Sequence, residues 1–427
     1  MRVLLRLSGF QARWAAEPFR RHVAYFTASR MISMTGARVA TIALVAVVYS
    51  RTGGSGGWVG AAVFTQFVCS VLAAPWAGAL GDRFDRRLVM LSSDLTAAAV
   101  FVVIAFTHTP LLLVLLSGVA AIVESPFGSA SSAFLLMLVP EAERTRATAT
   151  RASGVAVGTI VGGALGGVLV AAVGGTAAFL VNSLSFVISA ALVASIRGSY
   201  KAATSADPGH AGIWAGTRVI AKSDALRLVL AASGAALVGF GMINVGEFPL
   251  FAKLGSGALG FGIATAGYGI GSYIGAHIGR RAEGQHREKQ LLFFGWLVAG
   301  LAIVACGITP SSASVVALFT IAGVGASAAL LAGTLIIQRH TLDPVRSRVF
   351  AASSGMNTAA MSLAMFIAGF LIGPLGPVTL CVACGLVTLT ALLPSALVPP
   401  RGQPPWNPDS EHTDSPETRP RRWLLAT

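Results

Sequence analysis

The chain has 427 residues, of which 54% are hydrophobic and 11% charged, with a mean hydropathy of +0.73. Soluble domains carry about 25% charged residues, so this composition excludes an ordinary cytosolic enzyme and indicates a polytopic membrane protein. The net charge of +14 needs no nucleic-acid partner, because the basic residues sit in the loops between apolar runs.

Apolar runs divided by charged or Gly/Pro-rich breaks predict twelve helical spans, over 24–49, 58–80, 88–107, 111–139, 152–173, 176–196, 228–251, 258–279, 290–308, 314–337, 349–373 and 377–398. The segment before them, 1–22, is basic, and its apolar stretch Val3–Leu7 is too short for a signal-peptide core. Span 1 holds Arg30 and, near its middle, Arg38. Span 2 ends in Gly81-Asp82-Arg83-Phe84-Asp85-Arg86-Arg87. Span 4 carries Glu124 near its middle, on a stripe of small or polar residues (Ser117, Ala121, Gly128, Ser131), with a kink expected at Pro126. Spans 5 and 6 share the charge-free stretch Ala152–Ile196, broken at Gly174-Gly175-Thr176. Span 5 has a glycine at every fourth residue (Gly154, Gly158, Gly162, Gly166), with Gly163 and Gly167 added. In the basic segment 197–227, Ile213–Arg227 predicts an interfacial helix with Arg218 and Lys222 on its polar side. Span 7 places Asn244 and Glu247 on one face in its outer third. Span 8 repeats the bare face with Gly267, Gly271, Gly275 and Gly279. Leu291–Gln338 and Val349–Pro400 are again charge-free and long enough for two spans each, and the proline-rich tail 401–427 reads as disordered.

Only Arg30, Arg38, Arg51 and Lys253 fall outside one set of alternate loops and the two terminal segments. By the positive-inside rule both termini are cytoplasmic, in a bacterial inner (plasma) membrane, with the basic loops touching anionic lipid. Arg144-Thr145-Arg146 and Arg346-Ser347-Arg348 follow the fourth span of each half, and Gly-Arg-Arg at 279–281 echoes the loop at 81–87. The expected organisation is a cytoplasmic segment (1–22), two six-helix halves (23–196 and 228–400), a central linker (197–227) and the tail (401–427). Two such pseudo-repeats suit a transporter that alternates access around a midplane site.

The loop Gly78-Ala79-Leu80-Gly81-Asp82-Arg83-Phe84-Asp85-Arg86-Arg87 resembles the signature loop of the major facilitator superfamily, with Gly78, Asp82, Arg83, Arg86 and Arg87 on its matching positions. The form with Asp85, together with Tyr49-Ser50-Arg51-Thr52-Gly53 and Val345-Arg346-Ser347-Arg348-Val349, is similar to the macrolide-efflux and enterobactin-exporter branch. The resemblance covers roughly 17–400. It implies an all-α membrane fold of twelve helices, with spans 1, 4, 7 and 10 lining a central cavity and spans 5 and 8 facing each other between the halves. Gly154, Gly158, Gly162, Gly166, Gly267, Gly271 and Gly275 are then an expected inter-half seam of bare helix faces. Asp82 at the end of span 2 is positioned to meet the positive N-terminus of a helix from the other half, and Arg83, Arg86 and Arg87 to hold it, as a cytoplasmic gate. Span 5 is similar to the superfamily's antiporter signature, although Gly163 stands where that pattern has proline. Relatives with an arginine on span 4 are not matched, and Ala37 replaces an aspartate often found after the glycine of span 1.

A charge at the bilayer centre costs about 2.5–3.5 kcal/mol on insertion scales, so Arg38, Glu124 and Glu247 need a reason. The resemblance puts all three on cavity helices. Glu124 is the first candidate for a proton or cation site, in an ion pair with Arg38, and Glu247, beside Asn244, is the second. Static charge pairs (Glu124 with Arg38, Glu247 with Lys253) are the structural alternatives. No Gly-Lys-Ser or Gly-Lys-Thr exists for a P-loop, no His-Glu-x-x-His for zinc, and Cys381 and Cys384 have no third ligand nearby. Neither a cofactor nor a metal is expected. The reading is a monomeric secondary transporter that exports a small amphipathic compound (drug, antibiotic, siderophore or secondary metabolite) in exchange for protons. An importer or facilitator of the same fold, and a non-transporting membrane sensor, stay open as alternatives.

Overall fold

Glycine and proline set the boundaries of an otherwise helical chain. The computed structural model describes residues 18–198, 200, 215–280, 285–341 and 343–399, and among these no strand occurs. The first helices are α1 (Pro18–Arg51), α2 (Gly56–Arg83), α3 (Arg86–Phe106), α4 (Pro110–Leu138) and, after one 3₁₀ turn, α5 (Arg144–Ala194). Then follow α6 (Ala215–Lys222), α7 (Asp224–Lys253), α8 (Gly257–Arg280), α9 (Gln285–Ile308), α10 (Ser312–Arg339), α11 (Asp343–Leu389) and α12 (Leu392–Leu397). Several starts are written locally. Asp85, Ser223 and Ser311 cap α3, α7 and α10 by accepting from the backbone N–H of Arg87, Leu226 and Ser314, and Pro110 opens α4. The predicted disordered tail and most of the N-terminal segment lie outside the described residues.

Helices α5 and α11 are each a pair of arms. Gly174 (φ 86°, ψ 176°) and Gly376 (φ 72°, ψ 165°) hold backbone conformations open essentially to glycine alone. Packing shows what the breaks do. Along α1, Thr27, Met31, Thr35 and Val39 meet Gly154, Gly158, Gly162 and Gly166 in ascending order, while Ser29, Gly36 and Val47 meet Ser189, Ser185 and Gly175 in descending order. The first arm therefore runs parallel to α1, the second antiparallel, and the chain reverses at Gly174. In the same way α7 lies against both arms of α11: Gly241 packs on Met361 of the first, and Gly239 and Gly246 pack on Thr388 and Leu380 of the second. The two sequence halves thus repeat one arrangement.

Nine helices among the described residues are long and apolar enough to cross a membrane. Counting the arms of α5 and α11 separately and adding α8 reaches the twelve helical segments predicted. Helix α8, in which eight of 24 residues are glycine, is not among the nine. Leu72, Trp76, Phe106, Ile308, Phe370 and Leu393 stand exposed on the outside, an apolar skin that suits lipid rather than water. The interfacial helix expected over Ile213–Arg227 divides into α6 and the start of α7. Val219 and Ile220 are buried, and Gly216 lies on the Arg348 carbonyl, so the apolar side of α6 packs on α11 instead of on lipid.

The expected glycine seam needs correction. Gly154, Gly158, Gly162 and Gly166 face α1 of their own half, and Gly267, Gly271 and Gly275 face Thr320 and Val324 of α10, also of their own half. The contact between α5 and α8 falls one residue further round, on Gly163, Gly167 and Gly262. A Cβ on Gly262 would stand 2.5 Å from the Gly167 Cα, and one on Gly167 would stand 2.8 Å from the Ala258 carbonyl oxygen. At 100° per residue, a one-residue step turns a bare face from its own half to the other.

The second contact between halves joins α2 to α11. Gly56 lies on Ile372 and Gly60 on Gly369, while the Phe64 and Phe366 rings meet tilted at 4.6 Å. Tyr49 meets Phe248 edge-on at 5.3 Å nearby. These contacts gather at the end of the bundle away from the arginine-rich loops. Towards the arginine-rich end, Gly78 on α2 and Gly355 on α11 have open space around them.

Candidate functional site

Between the halves lies a cavity of about 270 Å³. The second half supplies most of its wall, including Asn244 and Glu247 of α7, Tyr268 of α8, Trp296 of α9 and Phe319 of α10. The first half supplies Arg38, Thr41 and Ile42 of α1 and Thr159 of α5. Leu237, Leu330 and Met361 also line a second space of about 300 Å³ with Ser233, Thr334, Ser354 and Asn357. The two spaces adjoin at these three residues, the second lying towards the arginine-rich end.

Local packing places Arg38. A Cβ on Gly162 would lie 2.5 Å from the Thr35 carbonyl oxygen and 2.8 Å from the Arg38 Cβ, so the bare face of α5 lets α1 approach closely beside the arginine stem, which lines the cavity. The Arg38 Nε is buried and has no hydrogen-bond partner in the protein, and no carboxylate pairs with this guanidinium among the described residues. Glu247 is buried and forms no ion pair with Lys253 among the described residues. The Trp296 Nε1 on the same cavity is a third polar atom without a protein partner. Asn244 donates its Nδ2 to the Phe240 carbonyl at 2.6 Å. Arg38, half-buried with its Nε enclosed, and Glu247, buried, are the ionisable side chains that line this space.

The expected Arg38–Glu124 pair is not formed. Glu124 lines a separate cavity of about 90 Å³ with Gln66, Ser117, Phe101 and the α1 residues Ala37, Ala40, Thr41 and Leu44. Ala37, Thr41 and Leu44 form one helical stripe, and Arg38 is turned 100° from it. Arg30, one heptad before Ala37, is on that stripe. Its guanidinium lies 4.6 Å over the Phe127 ring of α4 and interacts electrostatically with Glu124, Asp94 and Arg151. Thr41 borders both cavities.

Asp94 of α3 was missed from the sequence. It is buried, and it accepts a hydrogen bond from Ser189 Oγ at 2.6 Å, with Ser29 Oγ 2.8 Å from that hydroxyl. Its signal was the one used for Glu124, a carboxylate inside an apolar span, but here close enough to the loop at 81–87 to pass as part of it.

The loop at 81–87 works inside its own half. The side chain of Asp82, the expected latch to the other half, lies outside the described residues. Arg83 is exposed. Asp85 accepts from the backbone N–H of Arg87 and of Tyr200, both at 2.9 Å, and the Arg86 N–H donates to the Tyr200 carbonyl at 3.3 Å. Arg87 Nη2 donates to the Ala194 carbonyl at 2.6 Å, and Arg86 Nη1 lies 3.0 Å from Met137 Sδ. The Tyr200 ring sits edge-on to Phe134 at 4.7 Å, and burial there raises the pKa of its phenol, with Arg87 opposing. The loop therefore fastens the segment after α5 to α3 and α4.

A model of the Major Facilitator Superfamily matches residues 26–281 and 229–426. Over 112 residues the chain is 32% identical to the multidrug resistance protein MdtG of Proteus mirabilis (strain HI4320), covering 26% of this chain and 28% of that protein. Over 135 residues it is 30% identical to the staphyloferrin B transporter of Staphylococcus aureus (strain NCTC 8325 / PS 47), covering 31% of each. The chain thus matches less than a third of the length of either relative. Among solved structures, the nucleoside transporter NupG superposes with a TM-score of 0.72 at 11% identity, over 88% of this chain and 98% of that one. A bacterial homologue of the human lysosomal transporter Spinster, inward-facing and occupied, gives 0.70 at 14% identity, over 90% and 97%. These likenesses carry the fold alone, but the family match runs nearly the full length of the helices that build the cavity. The chain belongs to the Major Facilitator Superfamily.

Proposed function

We propose that the protein is a proton-coupled exporter of a small amphipathic compound, working by alternating access in the plasma membrane with both termini and the arginine-rich loops in the cytoplasm. The observation that carries this reading is the central cavity, which draws its wall from both halves and adjoins a second space towards the arginine-rich end, while Gly60 and Gly369 close the opposite end. A cavity lined by both halves is what rocking of one half against the other would expose to each side in turn. The halves, 23–196 and 228–400, move as units joined by 197–227, and the loop at 81–87, with Gly78, Asp82, Arg83, Arg86 and Arg87, acts as a cytoplasmic latch whose arginines also meet anionic lipid. The names of the two relatives, for multidrug resistance and for staphyloferrin B, support an exported organic substrate. The protein acts as a monomer.

Glu124, with Arg30 and Asp94, carries the proton in this reading, replacing the pair with Arg38. The three charges interact with one another beside a small cavity, and Thr41 borders both that cavity and the central one. A buried carboxylate beside a fixed cation is suited to proton exchange as access alternates.

The test is accumulation of a panel of fluorescent amphipathic compounds in an efflux-deficient bacterial host, for wild type and Glu124→Gln at equal expression, with and without a protonophore. Lower accumulation with wild type, abolished by the protonophore and by the variant, is the expected result. A variant indistinguishable from wild type would remove Glu124 from the coupling. Accumulation raised by the wild-type protein would replace export by import.

A further inference from the structure

We propose that the central cavity selects zwitterions: small molecules with an acidic group and an amine on one apolar, aromatic-compatible body. The inference rests on the transport reading above and deepens it. Its basis is a pair of oppositely ionisable side chains, neither in an ion pair among the described residues, that line one cavity from different halves. Arg38 belongs to α1 in the first half and presents a guanidinium whose Nε has no acceptor. Glu247 belongs to α7 in the second half and forms no ion pair or hydrogen bond among the described residues. The same cavity is lined by Phe240, Phe261, Phe319 and Trp296, and the Trp296 Nε1 adds one more donor without an acceptor.

A guanidinium on a largely apolar cavity wall is stabilised by a planar acid that meets it with two parallel hydrogen bonds. A carboxylate on such a wall is stabilised by an ammonium. A ligand with only an acid satisfies Arg38 and leaves Glu247 unpaired when the halves close, and a ligand with only an amine does the reverse. In each case the desolvated charge left over counts against the complex. Only a ligand with both groups pairs both walls, and since the walls belong to different halves, the same ligand draws the halves together. The volume, just under the usual range for drug-sized ligands, favours a body of one or two rings. The competing arrangement is a direct Arg38–Glu247 pair in the empty protein, which would make the cavity indifferent to ligand charge.

The experiment uses three probes with one body: naphthylalanine (zwitterion), its methyl ester (cation) and its N-acetyl derivative (anion). Binding to the purified full-length protein in nanodiscs is read by calorimetry, and flux of the same compounds in proteoliposomes. The expected result is that naphthylalanine binds at least about tenfold more tightly than either derivative, the scale of one desolvated charge left unpaired. Arg38→Gln should erase the advantage over the ester but keep that over the N-acetyl compound, and Glu247→Gln should do the converse. Arg38→Lys, which restores charge, should recover part of the lost affinity and separates this role from a folding defect. Equal binding of the three probes, binding of none, or variants that lose all three alike would overturn the proposal. Zwitterion-selective binding without flux would leave the selectivity in place and remove the transport reading, whereas flux without charge preference would do the opposite.

Discussion

A Cβ placed on Gly60 would stand 2.5 Å from the Cα of Gly369, so α2 and α11 approach backbone to backbone where the halves close the cavity. No side chain fits between them without moving a helix. Gly60→Leu therefore opposes this closed arrangement, by about 1–3 kcal/mol for overpacking, and populates the state open at that end. With a reporter cysteine at Thr41 and Cys69 changed to alanine, an impermeant maleimide added outside whole cells should label the Gly60→Leu protein several-fold faster. An unchanged rate would mean that α2 and α11 are not the barrier.

The two glycine faces of α5 should separate stability from transport. Gly162→Ala presses on the Thr35 carbonyl and the Arg38 Cβ inside one half, and is expected to cost about 1–3 kcal/mol of stability, seen as a lower melting temperature in detergent. Gly167→Ala presses on Ala258 and Gly262 across the halves. It should melt close to wild type and instead lower the transport rate. The reverse pattern would mean that the faces have been assigned to the wrong neighbours.

Gly174 and Gly376 reverse the chain within α5 and α11 at angles that an L side chain resists. Alanine at either should destabilise by about 1–3 kcal/mol, while Gly373→Ala, with open space around it and no positive φ, should be neutral. Thermal unfolding of the three variants in one detergent checks this, and equal melting temperatures would count against a strained reversal.

Asp85 both caps α3 and holds the Tyr200 amide. Asp85→Ala should remove about 1 kcal/mol of helix-cap stabilisation and release the segment after α5, so trypsin should cut at Arg197 faster than in wild type. Asp85→Asn keeps an acceptor oxygen and should retain most of the protection. Identical digestion of all three proteins would show that the capping contact does not hold the segment.

The architecture was legible because lipid imposes length and hydropathy on every span, and because Gly/Pro breaks at 174–176 and 373–377 can only be turns in charge-free runs of that length. What sequence could not supply was rotation. Period-four glycines showed that α5 has a bare face, but Gly162 and Gly163 point to different neighbours, and only packing decides which meets the other half. The same ambiguity misplaced Arg38. Its depth in span 1 matches that of Glu124, yet a one-residue offset from Ala37 sends it to a different cavity, and Arg30 interacts with Glu124 instead. Asp94 shows a further limit, since a carboxylate near a span end reads as a loop residue until the serines from α1 and α5 that gather around it are seen.

Helix α8 is bare on two sides, against α10 through Gly267, Gly271 and Gly275 and against α5 through Gly262. The glycines that permit both approaches belong to the eight in its 24 residues, and the helix is not among the nine long and apolar enough to cross a membrane. Close packing on α5 and α10 is then expected to hold α8 in the bilayer. The expected outcome is that a chain truncated after residue 285 loses α8 to the aqueous side and one extended past α10 recovers it, the mark of insertion that is cooperative across helices.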